Sequence, residues 1–466
     1  MPKFIQLDQE DPMSTLCRMV RDTKFEDLPS DVLIHAKKAI LDTIAVTIGG
    51  SAMEGIPEIV GFVKDRGGKP ESIIPFYGGS VPASEAGLAI GPMSRAMDLG
   101  NMHPEAAHCS EYTVPALLAA TGLKDKVTGK EFITAFVVGE EILVRIGIAL
   151  KTISKALAVG RNTGHFIFGC VGAVGKLLGL SLSELENAEG IASTMTQPNT
   201  KTIFTYPSLM VRLHHGFICQ DAINVCLLAK RGITGPYQKV LAGPEGYLGF
   251  ANWETDPDAL LKGLGEDWDM QNVIMKLYPA PVPAQAAING ILELMKEQGM
   301  KAEDIAKIEV YHDPAATHKS KGREAMWNPQ TAPECQFSLP YVVATAAYDG
   351  DVSLDSYTPE AITRQRVRDL MTKISIKEAP DLPRHAARIR MILKDGGEYS
   401  KECIYPKGHP NNPLTDSELI DKLKKCVGYS AYQLNEVVVD SLISALLNLD
   451  KVDDVEANLL VPLTPK

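Results

Sequence analysis

The sequence has no paired-cysteine motif and no surplus of positive charge. Its eight cysteines are scattered and form no C-x-x-C pair, which is typical of reduced, buried thiols rather than of a disulfide framework. Lys and Arg number 47 against 58 Asp and Glu, so the net charge is −11. A chain this acidic is not expected to bind nucleic acid or an anionic membrane surface.

Long apolar runs are lacking as well. The stretch from 132 to 151 is interrupted by Glu140, Glu141 and Arg145, so no transmembrane helix is expected. The opening residues MPKFIQLDQEDPMST are acidic and have no apolar core, so neither a secretory signal nor a transit peptide is expected. These absences predict a soluble, cytoplasmic protein.

Motifs for nucleotide, serine-hydrolase and zinc chemistry are absent too. No G-x-G-x-x-G follows a strand, and neither G-x-S-x-G nor H-E-x-x-H occurs. Four histidines, at positions 103, 108, 214 and 215, fit no standard zinc spacing. We therefore expect no cofactor and no metal ion.

The residues that are present predict a mainly α fold with a large all-helical domain and an inserted α+β lid domain. Helical apolar spacing fills the first half of the chain and returns at Thr415, which forms a capping box with Glu418. Between these parts, alternating residues and the turn Asp395-Gly396-Gly397 indicate a small sheet. The predicted helical domain is 1–271 plus 412–466, and the lid is 272–411.

Polar residues concentrate in a loop between two apolar helices. Asp98 ends one helix, a loop with Gly100 and His103 follows, and His108 precedes the next helix. A carboxylate and an imidazole on such a loop suit general acid–base catalysis. The alternative is that Asp98 is a solvated acid and His108 a helix-capping group.

Other clusters add cations. Arg161 lies just before a glycine-rich helix, and Arg212 and His215 are three residues apart, so that they share a helix face. Lys276 precedes Tyr-Pro at the predicted domain junction, and Tyr341 follows a Phe-Ser-Leu-Pro segment. Taken singly, each of these residues also has an ordinary structural interpretation.

In this order, the segments resemble the MmgE/PrpD family, which includes 2-methylcitrate dehydratase, cis-aconitate decarboxylase and iminodisuccinate epimerase. The resemblance runs nearly end to end. It includes the Asp98–Pro115 motif, Arg212-Leu213-His214-His215-Gly216, Lys276 with Tyr278-Pro279, and Gly408-His409-Pro410.

The resemblance implies a helical domain with an inserted lid, a homodimer, and a site between domain and lid that acts on small carboxylates without cofactor or metal. Asp98, His108, Lys276 and Tyr341 match the family's catalytic positions. His108 would transfer the proton, Lys276 would stabilise charge, Asp98 would orient or relay, and Tyr341 would bind substrate or protonate a leaving group. The expected substrate-binding residues are His103, Arg161, Arg212 and His215.

Three departures from the family pattern make the substrate uncertain. Arg161 stands where a histidine is usual, Val211 replaces a lysine, and Pro281 replaces the histidine of decarboxylase-like members. The first hypothesis is a dehydratase-type lyase, a hydro-lyase that acts on a small hydroxy di- or tricarboxylate. An epimerase of a substituted succinate, a decarboxylase, and a catalytically inactive binding protein remain as alternatives.

Overall fold

The computed structural model describes residues 10–152, 164–196, 208–251, 253–312 and 324–465. It is mainly helical with a small sheet, as the sequence predicts. Its contacts divide the chain into two compact units, Met1–Val273 with Thr415–Lys466, and Ile274–Leu414. The second unit lies between two parts of the first along the chain, and its role as a lid stays a prediction.

The first unit is built from helices. Those before its interruption are α1 Pro12–Asp22, α2 Ser30–Gly50, α3 Ile56–Arg66, α4 Ala83–Arg95, α5 Ser110–Ala120, α6 Gly129–Ala149, α7 Phe166–Leu177, α8 Leu182–Ser193 and α9 Met210–Lys230. Two short hairpins accompany them, β1 Ser72–Ile73 with β2 Ser80–Val81, and β3 Met102–His103 with β4 Ala107–His108.

Helices α4, α5, α6 and α7 are buried nearly all round, which is typical of helices in the middle of a helical core. Helices α6 and α7 approach closely because glycines face each other. A Cβ on Gly169 would lie 2.5 Å from Leu143 Cβ, and one on Gly139 would lie 2.5 Å from Ala173 Cβ. This close crossing leaves α5 and its preceding loop little freedom to shift.

The second unit packs helices on one small sheet. Its helices are α10 Val282–Gln298, α11 Glu324–Trp327, α12 Ala332–Gln336, α13 Leu339–Asp349, α14 Pro359–Ile362 and α15 Gln365–Met371. Its strands are β5 Ile305–His312, β6 Ile374–Glu378, β7 Ala387–Leu393 and β8 Glu398–Cys403, in the order β6-β5-β7-β8. Strands β5 and β6 are parallel, and the other pairs are antiparallel.

The first unit is completed by α16 Asp416–Val427 and α17 Glu436–Leu447. The capping box predicted at Thr415 and Glu418 is confirmed at the start of α16. Helix α16 packs on α2, so the end of the chain covers a helix from its beginning. Within the ranges given above, no helix combines the length and apolar character that a membrane span needs.

Candidate active site

The loop between α4 and α5 is held in an unusual backbone conformation. Asp98 has φ +52° and Ala107 has φ +76°, values that residues other than glycine rarely adopt. Between them, β3 and β4 pair Met102 with His108. Strain of this kind costs about 1–3 kcal/mol for each residue and is common at functional sites.

Glu111, in the first turn of α5, lies at the centre of a buried polar cluster. Its carboxylate Oε2 is 2.9 Å from His108 Nδ1, 3.7 Å from His215 Nε2 and 3.9 Å from Arg95 Nε. The Glu111 side chain has no exposed surface, whereas that of His108 is 19% exposed. A Cβ at Gly100 would lie 2.0 Å from Glu111 Oε1, so the loop requires glycine there. The imidazole therefore faces outward from a buried carboxylate.

Asp98 forms a buried ion pair with Arg95, three residues before it on α4. Burial lowers the pKa of Arg95, but the nearby carboxylates of Asp98 and Glu111 outweigh this effect and raise it. Arg95 is thus a fixed cation between two acids. Arg212 on α9 is close enough to interact electrostatically with both Arg95 and Asp98, and its Nη1 donates to the Glu54 carbonyl at 3.0 Å.

An aromatic stack holds the histidines of α9. Tyr112 lies between His215, at a centroid distance of 3.9 Å, and Phe166, at 4.4 Å. The Tyr112 hydroxyl is 2.9 Å from His214 Nε2, and His214 Nδ1 is 2.9 Å from the Met210 carbonyl. Because a carbonyl only accepts, Nδ1 carries the proton and Nε2 accepts from tyrosine. Burial lowers the pKa of His214 to about 4 and that of His215 well below its usual value, so both are neutral at pH 7.

His103 stabilises the hairpin that carries His108. Its Nδ1 accepts from the backbone N–H groups of Glu105 and Ala106, both at 3.1 Å. Burial lowers the pKa of His103 to about 4. The predicted substrate-binding role of His103 stays a prediction, since the ring atom Nδ1 serves the loop.

A second buried ion pair supports the same loop from the other side. Lys422 on α16 donates to Asp42 at 2.5 Å and to the Leu99 carbonyl at 2.9 Å. Asn101 Nδ2 lies 3.5 Å from the other Asp42 oxygen. The segment after Asp98 is thus attached to helices from both ends of the chain.

Lys276 and Tyr341 belong to the second unit. The Lys276 side chain is almost wholly buried, and the turn after it is clamped by Gln285, which accepts from the Leu277 and Tyr278 N–H groups at 3.2 Å. Gly408 must be glycine, because its φ is +90° and a Cβ there would lie 1.9 Å from the Met275 carbonyl oxygen. These contacts fix the backbone on both sides of Lys276.

Tyr341 lies in the core of the second unit with no exposed surface. Its hydroxyl donates to the Ser356 carbonyl at 2.5 Å. Burial raises the pKa of Tyr341, which favours the neutral phenol. Within its own unit the hydroxyl thus has a structural partner, and its catalytic role stays a prediction.

The structure brings together Asp98, His108, His215 and Arg212 from the predicted set, while Arg161 lies outside the described residues. Sequence reasoning missed Arg95, Glu111 and Tyr112. Arg95 lies three residues before Asp98 and Glu111 three after His108, a spacing that would put two charges on one face if a helix ran through both residues. That signal was present but weak, because such pairs are common on solvated helices.

Metal ligation finds no support in the described ranges, where no group of three or more His, Cys, Asp or Glu side chains has the arrangement to hold an ion. Independence of metal stays a prediction. What the cluster offers is a part-exposed imidazole on a buried carboxylate, with a guanidinium beside them, which is an arrangement that can take up and return a proton.

The fold and this cluster define a class: a mainly helical protein with a buried polar cluster in the loop before one helix and in the first turn of that helix. Residues 14–258 match the MmgE/PrpD N-terminal domain, and residues 278–443 match the MmgE/PrpD C-terminal domain. The chain belongs to the MmgE/PrpD family, and the resemblance seen in the sequence is confirmed.

Characterised relatives are similar over nearly their whole length. The cis-aconitate decarboxylase-like protein oryM of Aspergillus oryzae is 28% identical over 439 residues, which cover 88% of this chain and 89% of that protein. The cis-aconitate decarboxylase of Homo sapiens is 26% identical over 93% of this chain and 91% of its own. That of Mus musculus is 24% identical over 94% of this chain and 90% of its own.

Proposed function

We propose that this protein is a cofactor-independent lyase that removes a proton from the carbon next to a carboxylate in a small di- or tricarboxylate. The observation that carries the proposal is the contact of 2.9 Å between His108 Nδ1 and the buried Glu111 carboxylate. A proton next to a carboxylate is weakly acidic, so its removal needs a placed base and stabilisation of the resulting enediolate-like charge. The cluster in the first unit supplies the base.

In the proposed reaction, His108 takes the α-proton at Nε2 as the C–H electron pair moves toward the carboxylate. Asp98 acts through Arg95, whose guanidinium it holds beside Glu111. Lys276 enters the proposal through its Lys-x-Tyr-Pro motif, as the cation that stabilises the developing charge. The electron pair then forms the alkene as the β-hydroxyl leaves with the proton from His108 Nε2, which gives water and restores the neutral imidazole.

Loss of water is our first candidate because three positions weaken the case for a decarboxylase. Arg161 and Val211 replace the histidine and the lysine usual in the family, and Pro281 replaces the histidine of decarboxylase-like members. Loss of carbon dioxide is the second candidate, and the names of the relatives favour it, since they are cis-aconitate decarboxylases or resemble one. Loss of water needs a base that removes the α-proton, whereas loss of carbon dioxide needs an acid that protonates the carbon left behind, and one imidazole can serve in either role.

Proton NMR of the purified protein in D₂O tests the proposal with a panel of malate-like, citrate-like and substituted succinic acids and cis-aconitate. We expect deuterium at one carbon next to a carboxylate, together with a new alkene signal for loss of water. Release of carbon dioxide would establish the second candidate, and exchange without an alkene would establish an epimerase. No exchange and no product with any acid would contradict the proposal.

Two further expectations belong to this proposal. Turnover should be unchanged by a chelator, because the proposed steps need no metal, and a complete loss would contradict that point. The family resemblance also leads us to propose a homodimer in the cytoplasm. Light scattering of the full chain measures its mass directly, and a mass near 50.5 kDa would contradict the dimer.

A further inference from the structure

The position of Glu111 is not explained by helix stability alone. An acid in the first turn of a helix interacts favourably with the helix dipole by about 0.3–1 kcal/mol at an exposed site. Glu111 is instead wholly buried, where an ionised carboxylate costs several kcal/mol unless partners compensate it. A neutral side chain would avoid that cost, so the carboxylate needs another reason.

Distances single out His108 as the partner of Glu111. Of the three contacts given above, the one with His108, at 2.9 Å, has hydrogen-bond length, while the distances to His215 and Arg95 are 3.7 and 3.9 Å. His215 is neutral at pH 7, because burial lowers its pKa. Arg95 already forms its ion pair with Asp98. The interaction that distinguishes Glu111 from an ordinary buried acid is therefore the one with His108.

We propose that Glu111 is a positioning residue for His108, which holds the proton on Nδ1 and directs the lone pair of Nε2 toward the substrate. The inference rests on the proposed function, in which His108 is the base. A carboxylate only accepts, so the 2.9 Å contact can become a hydrogen bond only when a neutral His108 carries its proton at Nδ1. Once Nε2 has taken the substrate proton, the same carboxylate stabilises the imidazolium.

The charge around this pair comes from several elements. The other titratable and charged groups that face it are Asp42 on α2, Arg95 on α4, Asp98 in the following loop, Tyr112 on α5, and His214 and His215 on α9. A fixed cation, two acids, two neutral histidines and a phenol thus accompany the pair. Replacing Glu111 leaves these groups in place, so a change in the titration of His108 can be attributed to the loss of the Glu111 carboxylate.

The test compares Glu111→Gln and Glu111→Asp with Glu140→Gln. Glu140 is also wholly buried, and it accepts from Ser110 at 2.5 Å and Thr113 at 2.6 Å, so its variant controls for the loss of a buried carboxylate. Each variant is measured by deuterium exchange into the substrate against pH, with kcat and KM separated, and by NMR titration of the His108 ring.

For Glu111→Gln we expect kcat to fall about 100-fold or more with little change in KM. The carboxylate favours protonated His108, so its removal lowers the pKa of that histidine. Because the base must be neutral, the acidic limb of the pH profile should move down by about one unit or more. Glu111→Asp keeps the carboxylate, so it should retain part of the wild-type kcat and leave the acidic limb of the pH profile where it is in wild type. Glu140→Gln should change neither kcat nor the position of that limb.

An unmoved titration of His108 in Glu111→Gln would overturn the inference, as would equal effects of Glu111→Gln and Glu140→Gln. If Glu111→Gln does not fold, the ¹⁵N chemical shifts of His108 in the wild-type protein provide the test, since they show directly whether Nδ1 or Nε2 carries the proton. Protonation at Nε2 would overturn the inference. If wild type exchanges no proton with any acid, the proposed function fails, while the titration still tests the contact between Glu111 and His108.

Discussion

Two carboxylates, one in each unit, show what surroundings do to the same side chain. Glu309 on β5 accepts from Lys307 at 2.8 Å, Lys377 at 2.6 Å and Arg390 at 2.9 Å, and those cations are 38–47% exposed. Hydrogen bonds from Lys307 and Lys377 hold the pKa of Glu309 far below its usual value. Glu111 in the first unit is just as buried, but its nearest partner is an imidazole.

The two carboxylates differ in whether their partners can change protonation state near neutral pH. Lysine and arginine keep their protons near neutral pH, so the cluster around Glu309 has nothing to exchange. Histidine gains and loses a proton in that range, so the pair of Glu111 and His108 contains a proton that can be exchanged. Both carboxylates are surrounded by polar groups, and only the chemistry of the partner tells them apart.

The largest expected effect comes from breaking a buried pair in the first unit. Lys422→Met leaves the Asp42 carboxylate buried beside an apolar chain, which should lower the free energy of unfolding by about 3–5 kcal/mol. Urea unfolding measures the loss. Lys424→Met on the exposed face of the same helix is the control and should change little, and equal losses for both would show that the buried pair has no special weight.

A smaller effect should follow from the pH dependence of Glu140. Burial raises the pKa of Glu140 to about 7, above the unfolded value, so the folded state binds an extra proton and loses stability as pH rises from about 4.5 through 7. Between pH 5.5 and 8 the loss is about 2 kcal/mol. In Glu140→Gln this difference in unfolding free energy should vanish, and urea unfolding at pH 5.5 and pH 8 measures it. A difference as large as that of wild type would contradict the prediction.

The smallest effect is expected at Glu309. Its partners are exposed and screened, so Glu309→Gln should cost only about 1 kcal/mol of unfolding free energy and leave deuterium exchange into substrate unchanged. Urea unfolding and the exchange assay check the two parts. A loss as large as that of Lys422→Met, or a loss of exchange, would remove the contrast between the two clusters.

Local signals in the sequence predicted the elements well. The capping box of Thr415 and Glu418 is confirmed at the start of α16, and the turn Asp395-Gly396-Gly397 lies between β7 and β8. The parallel pairing of β5 with β6 was not predicted, because it joins residues more than sixty positions apart. No short-range pattern encodes such a register.

The candidate site was predicted only in part, because its contacts also join residues that are far apart in the sequence. Asp98 and His108 stand out because polar residues interrupt apolar helices, and the family motif contains both. Glu111 and Arg95 do not stand out, since a charge in a helix is ordinarily solvated. Their role is visible only where α4, α5 and α9 converge and exclude water from a charged carboxylate.

Deuterium exchange by wild type, His108→Gln and Glu309→Gln in one assay tests the central claim most directly. Wild type should place deuterium at one carbon next to a carboxylate, and Glu309→Gln should match its rate. His108→Gln should be slower by about 10²–10⁴-fold because the base is lost, while the glutamine amide can still donate to the buried Glu111 carboxylate and so preserve the fold. Exchange by His108→Gln at the wild-type rate would contradict the assignment of proton transfer to this cluster.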